Sequence, residues 1–358
     1  MSETLTTARA PLPLSIWARP SVREMPFPLN DPRCRLFRRA RHGLWLALRA
    51  AGIVAGDEAL APAYHHGSEI EALIQAGLTC KFYEATETLE PDEAELERLL
   101  TPRTRVLHLT HYLGLPQNAR RWRRWCDERG LLLIEDAAMA WLATRDGRPV
   151  GSDGDIAIYC LYKTFGVPDG GALLSRREVP ASRVKRRLAI ADLAFVHALS
   201  LLRRSSSLSR LALGARRERP YLAKREFALG DPASAPSTAT VLALPHVVDV
   251  TAAEKRRSNF RRLQSELSDM VSTAFRAPAP GACPFVFPIE TDDKPALLAR
   301  LHARGIRGYD LWPLPHDALR AEEFPRTSEL RRRAVGLPVH QELRPQDLSR
   351  IVSAVRGA

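Results

Sequence analysis

The sequence predicts an α/β protein, in which helices cover a mainly parallel or mixed sheet and a smaller α/β domain follows. Three observations predict it. Strand-like and helix-like segments alternate about every 20–25 residues, as in right-handed βαβ units. Several helix-like segments end at a glycine, such as Gly52, Gly77 and Gly130. The run LLLIED (131–136) is continuously apolar, which is typical of a strand buried on both faces.

The N-terminal half of the chain supplies the predicted sheet. Helices are predicted where apolar residues recur at three- and four-residue spacing, and strands where short apolar runs lie between turn residues. The acids at the start of PDEAELERLL suit the positive end of a helix dipole. The predicted order is helix 44–52, strand 57–64, helix 69–77, strand 79–85, helix 91–100, strand 105–112, helix 118–130, and strands 131–136, 155–161 and 171–175.

The pattern changes after residue 176. Residues 183–219 are basic, leucine-rich and helix-like, and residues 231–240 resemble a linker. The predicted elements that follow are helix 249–271, strand 283–290, helix 294–305, strand 306–312 and helix 346–356. The predicted organisation is an irregular N-terminal arm (1–40), a large domain (41–180), a basic helical insert with a linker (181–245) and a small domain (246–358).

Composition narrows the class of protein. Of 358 residues, 45% are hydrophobic and 26% are charged, as in soluble globular proteins. No apolar run is long enough for a membrane-spanning helix, and the first residues lack the pattern of a secretory signal. The five cysteines show no CxxC pairing. We therefore expect reduced thiols, no metal site and a cytoplasmic location.

The net charge of +12 favours anionic partners. No zinc-finger, RNP-like or P-loop motif is present, so a nucleic acid is not expected. The basic segment 183–219 allows two interpretations. It is either a helix that contacts a membrane surface weakly, or a helical bridge packed on a dimer partner.

Two residues at strand ends indicate the chemistry. Asp136 ends the strand LLLIED, and Lys163 follows the strand DIAIYCL. Only six of the 53 basic residues are lysines, so a lysine here stands out. Ligands of α/β sheets bind at the carboxyl ends of strands.

A lysine and an acid in these positions are what pyridoxal 5′-phosphate (PLP) requires. A lysine amine can lose its proton and condense with the cofactor aldehyde as a Schiff base, which arginine cannot do. A carboxylate beside the pyridine nitrogen keeps that nitrogen protonated. Gly170 and Gly171 after the lysine would let the backbone turn tightly near the cofactor.

With these residues in place, the chain resembles the DegT/DnrJ/EryC1/StrS family of PLP-dependent aminotransferases. The matching stretches are GLWLALRAAGIVAGDEALAPAY (43–64), TPRTRVLHLTHYLGLP (101–116), LLLIEDAAMAWLATRDGRPVGSDGDIAIY (131–159), KTFGVPDGGALL (163–174) and GLPVHQELRPQDLSRIVSAVR (336–356). The resemblance implies the three-layer, aspartate-aminotransferase-like PLP-transferase architecture called fold type I. It also implies a homodimer.

The resemblance assigns roles to individual residues. Lys163 matches the Schiff-base lysine, and Asp136 matches the aspartate at the pyridine nitrogen. His66 falls near the aromatic residue that stacks on the cofactor ring, although His65 is an alternative. His316, in WPLPHD, matches a Pro-x-His element near the substrate, and His111 in the stretch 101–116 is assigned to substrate contact as well.

The chain also departs from the family pattern around the phosphate. Ala40-Arg41 stands where the family has Gly-Thr, so Arg41 becomes the candidate phosphate ligand at a helix N-terminus. Cys160 aligns with a phosphate-binding serine. Met139 replaces a Gln or His near the cofactor hydroxyl, and the family's Asn-x-Arg segment is not found.

The resemblance implies transfer of an amino group, with glutamate as the donor and a nucleotide-linked keto-sugar as the acceptor, in polysaccharide or secondary-metabolite biosynthesis. Three alternatives stay open. A PLP enzyme could act on a non-sugar substrate, or could catalyse elimination, although family members that do so lack the lysine. The altered positions also fit a degenerate member that acts as a scaffold or regulator.

Overall fold

The computed structural model describes residues 5–182, 191, 194, 197–198, 223–276 and 278–357. Apart from four of these positions, the basic segment 183–219 lies outside the described residues, as do both interpretations of it. Within the described part of the chain, no helix is both long and apolar enough to cross a bilayer.

The described residues contain fourteen strands and eleven α-helices. The strands are β1 (Thr6–Thr7), β2 (Arg35–Phe37), β3 (Glu58–Pro62), β4 (Thr79–Tyr83), β5 (Thr104–Thr110), β6 (Leu132–Asp136), β7 (Thr144–Arg145), β8 (Arg148–Pro149), β9 (Ile156–Cys160), β10 (Gly171–Ser175), β11 (Val286–Glu290), β12 (Ile306–Arg307), β13 (Tyr309–Asp310) and β14 (Ala334–Pro338). The helices are α1 (Ala40–Ala50), α2 (Ser68–Gln75), α3 (Glu93–Leu99), α4 (Ala119–Arg129), α5 (Leu161–Thr164), α6 (Ala223–Phe227), α7 (Thr238–Val247), α8 (Ala252–Leu267), α9 (Lys294–Ala303), α10 (Pro325–Arg333) and α11 (Pro345–Arg356).

A seven-stranded mixed sheet forms the centre of the molecule, in the order β2-β10-β9-β6-β5-β3-β4. Strands β9, β6, β5, β3 and β4 pair in parallel, whereas β10 is antiparallel to both of its neighbours. Because parallel strands end at the same edge of a sheet, the residues that follow β5, β6 and β9 come together there. The predicted mainly parallel or mixed sheet is confirmed.

Both faces of this sheet are buried, which gives three layers. Alternate residues of β3 enter different apolar clusters: Ala59 and Ala61 join the cluster that contains Leu44 of α1, and Leu60 joins the cluster that contains Trp122 of α4. Side chains of a strand point alternately to opposite faces. A strand that is apolar on both faces is therefore the one that helices can cover on both sides.

The C-terminal region has its own three-stranded antiparallel sheet, β11-β14-β13, and its apolar cluster also includes Tyr64, Tyr112 and Met139 from the N-terminal half. Strand β11 of this region covers the C-terminal part of the predicted strand 283–290. Helices α9 and α11 match the predicted helices 294–305 and 346–356 within a residue or two. The predicted strand 306–312 is instead two short strands, β12 and β13, on either side of Gly308. A Cβ at Gly308 would lie 2.8 Å from Leu298, so the chain passes close to α9 there.

The N-terminal arm is more regular than the sequence predicted. β1 pairs in parallel with β12, and β2 forms the edge of the large sheet beside β10. Helix α1 also begins at Ala40, within the predicted arm. The prediction of an irregular segment 1–40 is wrong for these pieces, because strands of two or three residues leave no periodic pattern in a sequence.

Part of the predicted linker 231–240 is helical, since α7 begins at Thr238. The Ser237 side chain caps this helix by accepting from the Thr240 amide, and Ser237 also donates to Asp169 in the segment after Lys163. A capping serine stabilises a helix start by satisfying a free amide. This contact holds α7 against the start of β10.

Candidate active site

The carboxyl ends of three neighbouring strands form the wall of a cavity of about 170 Å³. Thr110 ends β5, Asp136 ends β6 and Cys160 ends β9. Thr110 is paired in register with Asp136, and Lys163 follows β9 in the short helix α5. All four side chains line the cavity. The structure therefore brings Lys163 and Asp136, which are 27 residues apart in the chain, to one site.

Asp136 is a buried carboxylate with few partners. Its Oδ1 accepts one hydrogen bond from the Ala138 amide at 2.9 Å, and its Oδ2 lies 3.7 Å from Nε2 of His108. Burial raises the pKa of Asp136; the nearby His108 opposes this rise, and the negative charge of Glu69 adds to it. A positively charged group in the cavity would favour the ionised carboxylate.

Lys163 is held beside groups that can carry negative charge. Burial favours its neutral amine, but Cys160, Tyr162 and Asp136 outweigh that effect and raise the pKa of Lys163 above its ordinary value. The amine has to be free of its proton before Nζ can attack a carbonyl carbon. A basic amine next to an acid is suited to holding a proton and returning it.

One side of the cavity is basic. Arg41 lies in the first turn of α1, and its Nη1 donates to the Glu226 carbonyl at 2.7 Å. Its Nε is buried and has no hydrogen-bond partner within the described residues. Burial, with the charge of Arg39 adding to it, lowers the pKa of Arg41, yet a guanidinium remains charged in proteins. A partly buried cation with a donor to spare at a helix N-terminus is suited to an anion.

The sequence left two histidines open for the stacking position, and the structure places them differently. His66 lines the cavity, whereas His65 is fully buried behind it, with Nδ1 on the Pro62 carbonyl and Nε2 accepting from the His316 amide. Burial lowers the pKa of His66 to about 4, so its ring is neutral at physiological pH. A neutral ring at the wall can stack on a planar ligand.

His111 lines the cavity too, but both of its ring nitrogens are used. Nδ1 accepts from the Gln117 amide at 3.0 Å, so Nε2 carries the proton and donates it to Glu135 at 3.0 Å. Glu135 also accepts from the amides of Gly151, Asp153 and Gly154. His111 thus anchors, through Glu135, the loop before β9, and its predicted contact with substrate stays a prediction.

His316 is the one predicted site residue that the structure does not bring to the cavity wall. Its Nε2 bonds Glu71 at 2.8 Å, its Nδ1 accepts from the Ala318 amide, and its ring stacks on Phe227 at 5.6 Å. Phe227 in turn meets the ring of His66 edge-on at 5.8 Å. His316 therefore supports the wall from behind, through Phe227.

Several residues that line the cavity have no signal in the sequence. Tyr162 precedes Lys163, and Glu69 lies beside His66 at the start of α2. Others arrive from distant parts of the chain and are recognisable only in the folded structure. The unpredicted polar and aromatic wall residues are Arg9, Arg39, Ser68, Glu69, Thr110, Tyr162, Glu226, Tyr309 and Trp312.

The residues present fit PLP. Asp136 would hold the pyridine nitrogen, Lys163 would carry the cofactor and Arg41 would hold the phosphate. The hydroxyl of Thr110 is buried in the same wall and has no hydrogen-bond partner among the described residues, which is the mark of a site shaped for a polar ligand. Met139, in place of a Gln or His, offers only an apolar contact.

Comparisons with known proteins identify the family of this chain. The profile of the DegT/DnrJ/EryC1/StrS aminotransferase family matches residues 37–356. A dTDP-3-amino-3,4,6-trideoxy-alpha-D-glucose transaminase of Streptomyces venezuelae is 28% identical over 330 residues, which are 87% of this chain and 79% of that enzyme. A GDP-perosamine synthase of Vibrio cholerae is 30% identical over 139 residues, and that match spans only 38% of each protein.

Solved structures show the same fold. The crystal structure of the sugar aminotransferase CalS13 from Micromonospora echinospora superimposes with a TM-score of 0.66 and covers the whole of both chains at 20% identity. AtS13 from Actinomadura melliaura gives a TM-score of 0.67, again over both whole chains at 20% identity. The predicted PLP-transferase architecture is therefore confirmed.

Proposed function

This chain belongs to the DegT/DnrJ/EryC1/StrS aminotransferase family, and from that premise we propose that it transfers an amino group from glutamate to the keto carbon of a nucleotide-linked sugar. PLP is the cofactor that this family and fold imply. Two relatives that align over 87% of this chain are named as enzymes of dTDP- and UDP-linked sugars. The proposed pathway is the synthesis of a polysaccharide or a secondary metabolite.

One observation carries the proposal: Lys163 and Asp136 line the same cavity, with the basic residue Arg41 in the same wall. Neither Lys163 nor Asp136 has a chemical substitute in amino transfer through PLP. A degenerate scaffold would have no need of a partly buried lysine beside a buried, nearly unpartnered carboxylate, because burying such groups costs stability.

When bound, PLP supplies an aldehyde that accepts amines and a ring that takes up the electron pair of the substrate carbon. Asp136, ionised by the positive ring nitrogen, would hold the proton on that nitrogen. Lys163 would carry a proton between the substrate carbon and the cofactor, first as a general base and then as a general acid. Arg41 would anchor the phosphate through charged hydrogen bonds.

We further propose a homodimer, as is typical of the family. The apolar helix α7 supports it, because Val241 and Leu242 are 49% and 47% exposed on this helix next to the partly exposed Trp17. Scattered apolar residues are normal on a surface, but adjacent ones often mark an interface. Sedimentation of the purified protein would distinguish a dimer from a monomer.

The test is to load the purified protein with PLP, reduce it with borohydride and locate the adduct by mass spectrometry. We expect one adduct, on Lys163, and none in Lys163→Ala. Lys81 and Lys255, which lie outside the cavity, serve as internal controls for non-specific labelling. Protein that stays colourless and unlabelled would support the scaffold alternative.

A second experiment identifies the acceptor. The loaded enzyme is incubated with ¹⁵N-glutamate and a panel of keto-sugar nucleotides and small keto acids. We expect ¹⁵N to appear on a sugar nucleotide. If ¹⁵N is transferred only to small keto acids, the proposed amino transfer is supported and the proposed sugar substrate is rejected.

A further inference from the structure

Two arginines converge on one tyrosine at the basic side of the cavity. The guanidinium carbon of Arg9 lies 4.5 Å from the centre of the Tyr162 ring, and that of Arg39 lies 5.6 Å from it. Both arginines line the cavity, and Tyr162 directly precedes Lys163. A guanidinium that stacks on an aromatic face keeps its N–H edges free for hydrogen bonds.

The N-terminal arm is fixed on both sides of Arg9. Before it, β1 pairs with β12, and Ala8 is buried. After it, Ala10 and Leu12 are buried, and the arm packs on Gly166, where a Cβ would lie 2.6 Å from the Ala10 carbonyl oxygen. Arg9 is the exposed residue between two buried alanines. The arm therefore presents Arg9 to the cavity from a fixed backbone.

Arg39 is fixed just as firmly, by the two glycines that follow Lys163. A Cβ at Gly171 would lie 2.4 Å from the carbonyl carbon of Arg39 and 2.2 Å from the amide of Ala40, so only glycine allows this approach. The Gly170 amide also donates to the carbonyl of Arg38. The glycines thus hold the residue before α1 against the start of β10 and direct it to the cavity.

The charges of these two arginines have no acidic partner among the residues that the structure describes. Within the described residues, neither Arg9 nor Arg39 has a carboxylate within 4.0 Å, although Glu226 lines the same cavity. Burial and the neighbouring Cys160 raise the pKa of Tyr162, and the positive charges of Lys163, Arg9 and Arg39 oppose that rise. Together with Arg41, the basic side presents more positive charge than one phosphate group requires.

We propose that Arg9 and Arg39, beside Arg41, form a second anion site, which binds the charged group of the reactants. This proposal rests on the proposed function. Two groups have the required chemistry, namely the diphosphate of a nucleotide-linked sugar and the carboxylate of the amino donor. Both accept paired hydrogen bonds from the planar fork of a guanidinium.

The test measures binding of inorganic pyrophosphate and of 2-oxoglutarate by calorimetry, to the PLP-loaded and to the cofactor-free protein. The variants are Arg9→Gln and Arg39→Gln. Arg23→Gln is the matched control, because Arg23 is an exposed arginine of the same arm outside the cavity. We expect each cavity variant to bind one or both anions about tenfold more weakly than Arg23→Gln, since a charge-assisted pair is lost.

The two probes separate the two sources. Loss of pyrophosphate binding alone identifies the diphosphate, loss of 2-oxoglutarate binding alone identifies the donor carboxylate, and loss of both identifies a shared site. Affinities equal to those of Arg23→Gln, or a wild-type protein that binds neither probe, would overturn the proposal. Thermal unfolding of each variant checks that the fold is intact.

Failure of this proposal is distinguishable from failure of the proposed function. The borohydride adduct on Lys163 and the transfer of ¹⁵N report on amino transfer without reference to Arg9 or Arg39. If the protein does not load PLP, the titrations of the cofactor-free protein still compare Arg9→Gln with Arg23→Gln. If anions bind at Arg9 and Arg39 but no amino group is transferred, the anion site is retained and the proposed aminotransferase activity is rejected.

Discussion

Two adjacent carboxylates on β6 have opposite surroundings. Glu135 accepts four hydrogen bonds, from His111 and from the amides of Gly151, Asp153 and Gly154. Asp136 accepts one, from the Ala138 amide. The burial of the two residues is similar, since they are 1% and 7% exposed. Burial alone therefore does not separate a structural acid from an available one; the number of donors does.

Two histidines, one on the neighbouring strand β5 and one directly after it, repeat this contrast. Both ring nitrogens of His111 are hydrogen-bonded, whereas neither ring nitrogen of His108 has a hydrogen-bond partner among the described residues. His108 is nevertheless fully buried, with Nε2 facing Asp136. The pair Glu135–His111 holds a loop in place, and the pair Asp136–His108 leaves acceptor capacity for a ligand.

The largest effect is expected on the rate of amino transfer. Replacing Asp136 by Asn removes the charge that would hold the proton on the ring nitrogen of PLP. We expect kcat to fall about 10²–10³-fold, the usual effect of removing one preorganised electrostatic contact. The measurement is the initial rate of ¹⁵N transfer by the loaded variant, with Glu87→Gln as an exposed control. A rate within twofold of the wild type would show that Asp136 does not act on the cofactor.

The next largest effect is a loss of stability when Glu135, the other carboxylate, is replaced. Glu135→Gln places an amide NH₂ group among donors, so buried hydrogen bonds are left unmade. We expect a loss of about 2–4 kcal/mol in the free energy of unfolding. Urea unfolding of the cofactor-free protein measures it. Asp136→Asn is the matched control and should lose much less, and equal losses in the two variants would contradict the contrast.

The sequence could predict those features of the site that leave a pattern in the neighbouring residues of the chain. Asp136 ends a strand and Lys163 follows one, and both strands are recognisable by their apolar runs. The predicted helices before Gly52, Gly77, Gly130 and Gly305 are also present, and each of these glycines follows its helix at positive φ. Helix α10 was missed because its residues are mostly charged, although it carries the buried Arg331.

The remaining parts depend on contacts between distant segments. Arg9 reaches the wall of the cavity from the N-terminal arm, which is 154 residues before Lys163 in the chain. Arg256 is buried in α8 and donates to the carbonyls of Thr164 and Pro284. From the sequence alone, arginines such as these two are expected to lie on the surface. Their role follows from which backbone carbonyls the fold places beside them, and no local pattern encodes that.

The histidine pair gives a smaller effect that sharpens the comparison. His111→Leu removes two buried hydrogen bonds and should cost about 1–3 kcal/mol of unfolding free energy. His108→Leu removes none and fills the same space with an apolar side chain, so a change within about 1 kcal/mol is expected. Parallel urea unfolding of the two variants measures both. A larger loss for His108→Leu than for His111→Leu would reverse the assignment.

The smallest effect is a pH dependence of stability that belongs to Asp136. Its folded-state pKa is raised by burial, with His108 and Lys163 opposing the rise and Glu69 adding to it. For an acid whose folded pKa exceeds its unfolded value of about 3.9, ionisation costs more in the folded state. Stability is therefore lost as the pH rises from the unfolded pKa through the folded pKa.

Asp136→Asn cannot ionise and lacks this loss. In the cofactor-free protein, the difference in unfolding temperature between Asp136→Asn and the wild type should be smallest in acid and should increase toward neutral pH in favour of the variant. Thermal unfolding followed from about pH 4 to 8 measures it. The exposed control Glu87→Gln should follow the wild type throughout. A difference that increased toward acid would mean that the carboxylate is stabilised as an anion before any ligand enters, and Asp136 would then be a structural acid like Glu135.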